Sequence, residues 1–459
     1  MENIKPYTKY KPSGVSWLGE IPEHWEIRKL KSLFKSPESL FVDGDWIESN
    51  DINGSDVKYI TTGNIREGKY KEKGSGQITF ETFKRLNCTE ALENDILISR
   101  LNMPIGRCCL APKFDKPLIV SVDVVICRLD IEYNRKYFVY LMNSKRYQES
   151  TALESRGATM KRVSRTILGN FFLSIPSTDE QTTIADFLDY KTAKIDRFIR
   201  KKKQLIQLLN EQKAGIINQA VTKGLDASAK MKPSGIEWLG DIPEHWKIVK
   251  LRYLSRITTG NKNTEDKVEN GLYDFFVRSQ KIAKINSYSF DGEGILTAGD
   301  GVGVGKVFHY INGKCDYHQR VYLFYNFSKL IHAKFLFYFL QKFLKNELMI
   351  YNAKSTVDSV RLPVLKDFLV LVPEFNEQKA IVEHIEKETE KLNKAIATIE
   401  KEIALVQEYR TALIAEAVTG KIDVRDYKVP VLEEDDLVYE DVEEEMDMVA
   451  EDGEGMEME

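Results

Sequence analysis

The residues most able to do chemistry in this sequence form only fragments of known catalytic motifs. The run GDGVGVGK at 299–306 suggests a phosphate-binding loop, in which backbone N–H groups surround a phosphate. The motif G-x-x-x-x-G-K-[ST] would need glycine at position 300 and serine or threonine at 307, where this chain has Asp300 and Val307. The run also fails the dinucleotide motif G-x-G-x-x-G. We therefore interpret it as a glycine-rich turn.

The remaining candidates for catalysis are equally incomplete. His24 and His245 recur within the segment I-P-E-H-W and could act as bases or metal ligands, but the tryptophan after each one favours a packed structural element. Glu377 and Lys379 have the (D/E)-x-K spacing of a nuclease, yet Thr182 replaces the lysine in the other copy of this segment. No Pro-Pro pair occurs, which excludes the [DNS]-P-P-[YFW] loop of amino-methyltransferases. The sequence predicts a protein without catalytic residues of its own.

The composition indicates a folded protein of two or three domains, with 459 residues that are 42% hydrophobic and 30% charged. The most apolar stretch, 331–344, is interrupted by polar residues and falls short of the ~20 apolar residues of a membrane span. The N-terminus has no apolar core of the signal-peptide type, so we expect a cytoplasmic protein. An odd set of cysteines without C-x-x-C spacing argues against disulfides and structural zinc: Cys88, Cys108, Cys109, Cys127 and Cys315.

The charge is divided unevenly along the chain. The sequence has 66 basic and 70 acidic residues, but fifteen of the acidic ones and none of the basic ones lie in 433–459, which leaves residues 1–432 with a net charge of +11. Such a segment cannot bury enough apolar surface to offset its ordering entropy, so 427–459 is predicted to be a disordered acidic tail. The tail either solubilises the chain or competes with nucleic acid for the basic body, which is compatible with a phosphate-binding surface.

The strongest signal in the sequence is an internal repeat. The segment 11–33 recurs at 232–254 with sixteen identities over 23 positions. A second pair of related segments begins at Pro176 and Pro373 and ends in the heptapeptides AVTKGLD and AVTGKID. The chain is therefore two copies of one unit.

The segments between these repeats are related more weakly. DILISRLNMPIGR at 95–107 aligns with GILTAGDGVGVGK at 294–306, and GATMKRV at 157–163 aligns with KSTVDSV at 354–360. The offset between the copies falls from 221 to 199 before the first of these pairs, so the first copy carries 22 more residues there. A common framework with different variable regions predicts two related surfaces for two different targets.

Two long helices are predicted over 180–222 and 377–419, because each stretch lacks proline and follows one. In the second helix, apolar residues follow the spacing of a coiled-coil seam: Leu392, Ile396, Ile399, Ile403, Val406, Leu413 and Ala417. In the first helix Lys202 and Lys213 interrupt the seam. About 40 residues at ~1.5 Å each give helices of roughly 60 Å, too long for an ordinary globular core. We expect an antiparallel pair with a module at each end and pseudo-twofold symmetry.

The predicted fold is α/β, with two mixed α/β modules joined by this two-helix coiled coil. The strand-like runs are 57–60, 95–99, 119–129, 275–278 and 321–325, and shorter helices are predicted over 137–153 and 332–349. The expected boundaries are 1–175 and 227–372 for the modules, 176–226 and 373–426 for the long helices with their exits, and 427–459 for the tail.

The repeated motifs resemble those of the specificity (S) subunits of type I restriction-modification systems, over about residues 11–426. The shared motifs are the D-I-L-I-S...G-R segment, the A-V-T-x-x-[LI]-D exit and the P-x-x-x-E-Q start of each long helix, which comprises Pro176, Glu180 and Gln181 or Pro373, Glu377 and Gln378. The resemblance implies that each module is a target-recognition domain for one half of a bipartite DNA site. It also implies that the coiled coil sets the spacer between the halves.

The same resemblance implies a subunit without catalytic activity or a cofactor of its own. The implied partners are double-stranded DNA, two methyltransferase (M) subunits and up to two motor-nuclease (R) subunits. Those partners would use S-adenosylmethionine, ATP and Mg to methylate adenine and to cleave DNA in bacteriophage defence. A rival hypothesis from a different class is a structural adaptor whose twin modules bind peptides.

Basic and amide side chains in the variable parts are the candidates for DNA contacts, because arginine suits guanine or phosphate and asparagine suits adenine. In the first module the candidates are Arg66, Lys69, Arg100, Asn102, Arg107, Arg156, Lys161, Arg162 and Arg165. In the second module they are Arg278, Gln280, Lys281, Lys306, His318, Gln319, Arg320, Lys354 and Arg361. For each of them the alternative is an ordinary solvated side chain.

Overall fold

The computed structural model describes residues 5–431 except 73, 75, 158–159, 237, 302 and 353–358, with the backbone alone at 347 and 349–352. Position 432 and the acidic residues after it lie outside the described residues, and so does Lys354.

The described residues of the first repeat form eleven strands and five α-helices. In chain order they are β1 Tyr10–Pro12, β2 Glu20–Pro22, β3 Glu26–Lys29, β4 Leu40–Asp43, β5 Val57–Ile60, β6 Gly76–Ile78, α1 Phe80–Arg85, β7 Ile96–Ser99, β8 Cys108–Leu110, β9 Leu118–Val120, β10 Val124–Arg128, α2 Arg135–Met142, α3 Lys145–Leu153, α4 Arg165–Asn170, β11 Phe172–Ile175 and the long helix α5 Thr178–Lys223.

The second repeat follows the same plan with fewer elements among its described residues. They are β12 Met231–Pro233, β13 Asp241–Pro243, β14 Lys247–Lys250, β15 Arg256–Thr259, β16 Tyr273–Phe276, β17 Ala283–Ile285, β18 Phe290–Ala298, β19 Phe308–Tyr317, β20 Val321–Tyr325, α6 Ala333–Asn352, α7 Leu362–Asp367, β21 Leu369–Val372 and the long helix α8 Phe375–Val418.

Two compact units divide the described chain. The first unit contains the residues up to 201 together with those from 402 onward, and the second unit contains residues 202–401. The helices α5 and α8 therefore each contribute one half to each unit. Each unit combines a mixed α/β module with the start of its own long helix and the end of the other one.

The sheets of the two modules correspond strand by strand. The first module has a four-stranded sheet of order β4-β10-β7-β8 and a three-stranded sheet of order β6-β5-β9, in which β5 and β9 are parallel. The second module has one six-stranded sheet of order β15-β20-β18-β19-β16-β17. Its long strand β19 pairs antiparallel with β18 and parallel with β16. In the first module two separate strands make these pairings, since β8 pairs antiparallel with β7 and β9 pairs parallel with β5. The 22 extra residues of the first module lie in three connections, before β4, between β5 and β6, and between β6 and β7, where α1 forms.

The long helices pack together in antiparallel fashion within each unit. In the first unit Arg410 of α8 lies 3.6 Å from Asp196 of α5, and in the second unit Lys213 of α5 donates to Asn393 of α8 over 2.8 Å. The seam residues are buried or half-buried, with Ile399 only 7% exposed. Lys213, which interrupts the apolar seam in sequence, is satisfied by this hydrogen bond, so the paired helices predicted from the sequence are confirmed.

The ends of the long helices complete the core of each unit. In the first unit Ala417 and Val418 at the end of α8 pack with Tyr137 and Phe138 of α2, and all four are buried. In the second unit Val221 near the end of α5 packs in a core that α6 dominates through its phenylalanines. The apolar stretch 331–344 thus lies in the interior of the module. Within the described part of the chain, no helix has the length and hydropathy to cross a membrane.

Two differences from the sequence predictions have local causes. The run 119–129 forms two strands, β9 and β10, separated by a turn at Ser121–Asp123 in which Val124 N–H donates to Ser121 O. The helix predicted over 137–153 is two helices, because the side chain of Asn143 bonds both the N–H and the C=O of Cys108 and ends α2. The predicted strands at 57–60 and 321–325 coincide with β5 and β20.

We predict that Gly420→Ala destabilises the first unit. Gly420 follows α8 with a φ of +70°, and a Cβ there would lie 2.3 Å from Cδ of Pro22 and 3.1 Å from Cη2 of Trp25. Left-handed strain and overpacking should together cost about 2–4 kcal/mol, seen as a lower unfolding midpoint. Gly215→Ala is the control, since Gly215 is helical with nothing within 4 Å of an added Cβ, and it should stabilise by ~0.5–1 kcal/mol. A neutral Gly420→Ala would contradict this packing.

Candidate nucleic-acid interface

A carboxylate joins each module to the start of its long helix, and it is buried in the first unit and half-buried in the second. In the first unit Glu180, 5% exposed, accepts hydrogen bonds from Tyr7 Oη at 2.6 Å and Trp25 Nε1 at 3.0 Å, and His24 Nε2 lies 2.9 Å from its other oxygen. A carboxylate taken out of water needs such donors, because an unpaired buried charge is costly. The acidic group also lies in the first turn of α5, where the helix dipole favours it.

The second unit repeats this clamp with the matching residues. Glu377 accepts from Trp246 Nε1 at 3.0 Å, and His245 Nε2 lies 3.0 Å from its second oxygen. The two conspicuous repeats of the sequence, I-P-E-H-W and P-x-x-x-E-Q, are therefore halves of one contact. The interpretation of His24 and His245 as parts of a packed element agrees with these positions.

The glutamine of the same motif fixes the start of one helix of the module, α2 in the first unit and α6 in the second. Gln378 donates to the backbone oxygens of Pro373 and Leu330 and accepts from His332 N–H at 2.7 Å, next to the start of α6. Gln181 donates to Pro176 O and accepts from Asn134 N–H at 3.0 Å, next to the start of α2. Each E-Q pair thus connects the long helix to two places in its own module.

In the first unit, three loops come together at the end of the central sheet. They are 100–107 after β7, 121–123 before β10, and the described residues 156–157 and 160–163 before α4. Arg100 N–H donates to Asp123 O at 2.8 Å, and Val163 N–H donates to Arg100 O at 3.0 Å. Asn102 N–H donates to Lys161 O at 3.1 Å. We call this set the first loop surface.

In the second unit, the corresponding loops form the same arrangement. They are the described residues 299–301 and 303–306 after β18, 318–320 before β20, and 359–361 before α7. Gly299 N–H donates to Arg320 O at 2.7 Å, and Val360 N–H donates to Gly299 O at 2.8 Å. These bonds reproduce those of Arg100 in the first unit. The second loop surface therefore has the same backbone framework as the first and different side chains.

Three of the sequence candidates are buried within these surfaces. Arg100 is 6% exposed, and its Nε lies 3.3 Å from Asp43 Oδ1. His318 is 6% exposed and accepts a hydrogen bond from Arg320 N–H at Nδ1, and burial together with Arg278 lowers its pKa, which keeps that nitrogen unprotonated. Arg107, also 6% exposed, is the third.

Arg107 holds the first loop in place with its whole guanidinium group. Burial, with Arg66 nearby, lowers its pKa, yet the group stays charged because arginine titrates far above neutrality. It donates over 2.8–3.3 Å to the backbone oxygens of Thr62, Ile65, Leu101, Asn102 and Pro104. Asn102 and Met103, the latter 57% exposed, are thereby presented on a fixed turn.

The other candidates are accessible to different degrees. Arg165 is paired with Asp43 at 3.1 Å, and Lys69 lies 3.6 Å from Asp196 beside a cavity of about 690 Å³ between α2 and the helix pair. The remaining described candidates have exposed positions: Arg66, Asn102, Arg156, Lys161, Arg162, Arg278, Gln280, Lys281, Lys306, Gln319, Arg320 and Arg361. All of these except Arg66, Arg278, Gln280 and Lys281 lie on the two loop surfaces.

The sequence matches the family described as "Type I restriction modification DNA specificity domain" over residues 22–208 and 243–405, which cover most of each repeat. The chain belongs to the type I restriction-modification specificity subunits. A specificity subunit is a non-catalytic component of such a system, as the absence of complete catalytic motifs in the sequence predicted.

Two relatives of this specificity subunit have low sequence identity to it and match 88% and 40% of its length. It is 26% identical over 437 residues to the type I restriction enzyme MjaVIII specificity subunit of Methanocaldococcus jannaschii, which covers 88% of this chain and 94% of that one. It is 28% identical over 184 residues to the EcoDI specificity subunit of Escherichia coli, 40% of each chain. A solved structure, described as "Structural basis underlying complex assembly and conformational transition of the type I R-M system", shares the fold with a TM-score of 0.60 at 15% identity, over 88% of this chain and 99% of that chain.

The loop surfaces of this specificity subunit also contain acidic residues that the sequence reading did not single out. Asp123 lies 2.6 Å from Arg162, and Asp43 lies within reach of both Arg100 and Arg165. Asp300 lies between Arg278 and Arg320 in the second unit. No motif marks these residues, because their partners are distant in sequence and meet them only in the folded loops.

We predict that Arg107→Met in this specificity subunit loosens the first loop surface. Five backbone oxygens would lose their charged donor, and since hydrogen bonds to charged groups contribute ~1.5–3 kcal/mol each, a loss of at least about 3 kcal/mol is expected after relaxation. Thermal unfolding and hydrogen exchange at the Asn102 amide measure the effect. Arg66→Met, at an exposed position on the neighbouring turn, is the control and should change stability by less than ~0.5 kcal/mol. Equal results for the two variants would contradict the role of Arg107.

Proposed function

We propose that this specificity subunit reads a bipartite DNA site, with one loop surface on each half of the site. The observation that carries the proposal is the construction of the two surfaces, which share backbone hydrogen bonds and differ in side chains. A framework repeated in this way supports two readers of similar shape and different sequence preference. The net charge of +11 in residues 1–432 supports a phosphate-bearing target.

The exposed side chains of the loop surfaces are the proposed DNA contacts. Arginine and amide groups suit base edges, and lysines suit phosphates. Arg100, Arg107 and His318 have internal partners, so we assign them to positioning the loops. Arg165 is proposed as a phosphate contact at the margin of the first surface, and Lys354 remains a proposed phosphate contact of the second module.

We further propose that the helix pair sets the spacer between the two half-sites. The helices α5 and α8 contain 46 and 44 residues, which at ~1.5 Å per residue is twice the ~34 Å of one DNA turn. A paired helix of this length is stiff, because the apolar seam residues of one helix pack between residues of the other at each turn. The length of the helices would then be the property that fixes the number of unread base pairs.

The partners proposed for this subunit are two methyltransferase (M) subunits and up to two motor-nuclease (R) subunits, assembled on duplex DNA in the cytoplasm. S-adenosylmethionine, ATP and Mg would be used by those partners. The family assignment supports an assembly of this type, and the chemistry of methylation and cleavage would then reside outside this chain.

The salt dependence of DNA binding separates this proposal from a peptide-binding adaptor. The subunit assembled with its methyltransferase partner should bind duplex DNA with an affinity that falls steeply between roughly 50 and 200 mM salt, because each neutralised phosphate releases counterions. Lys161→Gln and Lys306→Gln should each reduce the slope of log K against log salt by about 1.

The matched control for these variants is Lys9→Gln, which removes an exposed lysine outside the loop surfaces. It should leave the slope unchanged in the same titration. A complex that binds DNA weakly and without salt dependence, or one whose slope responds equally to all three substitutions, would contradict the proposed interface.

A further inference from the structure

Each loop surface places a carboxylate against exposed arginines. In the first unit Asp123 Oδ1 lies 2.6 Å from Arg162 Nη2. In the second unit Asp300 lies 3.2 Å from Arg278 Nη1 through one oxygen and 3.6 Å from Arg320 Nε through the other. The arginine side chains are 48–63% exposed and the carboxylates 21–22% exposed. Donor and acceptor therefore reach solvent side by side.

The two couples share one corresponding position, at which an aspartate in the first unit is replaced by an arginine in the second. Asp123 comes directly before β10, and Arg320 comes directly before β20. The backbone oxygen of each accepts a hydrogen bond from the loop after β7 in the first unit or after β18 in the second. In the first unit the loop before this strand contributes the aspartate of the couple, and in the second unit it contributes the arginine. The other two members lie on different loops, Arg162 on the loop before α4, where it bridges to Leu101, and Asp300 on the loop after β18, where it bridges to Ser359. The same couple has thus been built twice from different residues.

A carboxylate on a surface that faces phosphates opposes binding, since like charges repel. That repulsion is offset where the target offers the carboxylate a hydrogen-bond donor, in addition to the arginine that the carboxylate already pairs with. In the major groove, guanine presents its N7 and O6 as acceptors and cytosine presents its N4 amino group as a donor. An arginine donor next to an aspartate acceptor has the complementary pattern.

We propose that Asp123 with Arg162, and Asp300 with Arg320, each read one G·C pair. The arginine donates to guanine and the aspartate accepts from the cytosine amino group. This inference rests on the proposed reading of DNA by the loop surfaces, and it adds two specificity-determining carboxylates. At any other base pair, or on non-specific DNA, the carboxylate meets no amino donor in that position and weakens the complex.

The substitutions Asp123→Asn and Asp300→Asn test this proposal, because they keep the shape and remove the charge. The assembled methyltransferase complex of each variant is used to select sites from a random duplex library and to bind one duplex without a site. Asp123→Asn should relax a single G·C position in one half-site, with discrimination falling roughly 5- to 150-fold, the range of one good base contact. Asp300→Asn should do the same in the other half-site only. Each variant should bind the duplex without a site about 2- to 5-fold more tightly at low salt.

The control is Asp51→Asn, which breaks an ion pair with Arg85 outside the loop surfaces. In that pair the aspartate is 21% and the arginine 55% exposed, close to the values of Asp123 and Arg162. This variant should select the wild-type site and bind other DNA as the wild type does. Thermal unfolding and assembly with the partner are measured for every variant. Where Asp123→Asn melts early, Arg162→Gln takes its place and should relax the same G·C position.

The outcomes separate this inference from the function on which it rests. A wild-type complex that selects no bipartite site contradicts the proposed function itself. A wild-type complex that selects a site, with variants that keep every base preference, overturns the role of the carboxylates. Relaxation at an A·T position, or in both half-sites at once, also overturns the assignment of one couple to one G·C pair.

Discussion

The structure depends on one contact made twice, between a tryptophan of the module and the two long helices. Trp25 donates to the buried carboxylate of Glu180 at the start of α5, and its ring lies against Gly420 at the exit of α8. Trp246 makes the same pair of contacts with Glu377 and Gly224. The helix that starts in one repeat therefore ends in the unit of the other, and the indole fixes both helix ends to one module.

This contact explains why the most similar parts of the two repeats lie where module and helices join and not on the loop surfaces. A buried carboxylate loses its compensation if any donor is removed, so the residues of the clamp constrain one another strongly. The loop surfaces are constrained differently, because their framework consists of backbone bonds that many side chains allow. Such a division permits each surface to change its side chains while the clamp and the helix pair stay the same.

Much of this organisation could be predicted from the sequence, since repeats and periodicity report packing directly. The long helices and their antiparallel pairing follow from the absence of proline and from the apolar seam, and the mixed modules follow from the short strand-like runs and the helices between them. The contacts of individual loop residues could not be predicted, because a guanidinium group binds backbone oxygens, carboxylates and bases equally well. Arg107 donates only to backbone oxygens of its own module, Arg162 pairs with Asp123, and nothing in the local sequence distinguishes the two. The acidic partners were missed because they meet their arginines only through the sheet topology.

We propose that the helix pair acts as a spacer between two independent readers. The most direct test inserts seven residues into both long helices, after position 201 in α5 and after position 401 in α8, which preserves the apolar seam and adds about 10.5 Å. Methylation mapping of the assembled complex should then show both half-site sequences unchanged and a spacer longer by about three base pairs, at ~3.4 Å each. Insertion into one helix alone should abolish the paired structure. An active double-insertion variant with the original spacer, or with altered half-sites, would contradict the account.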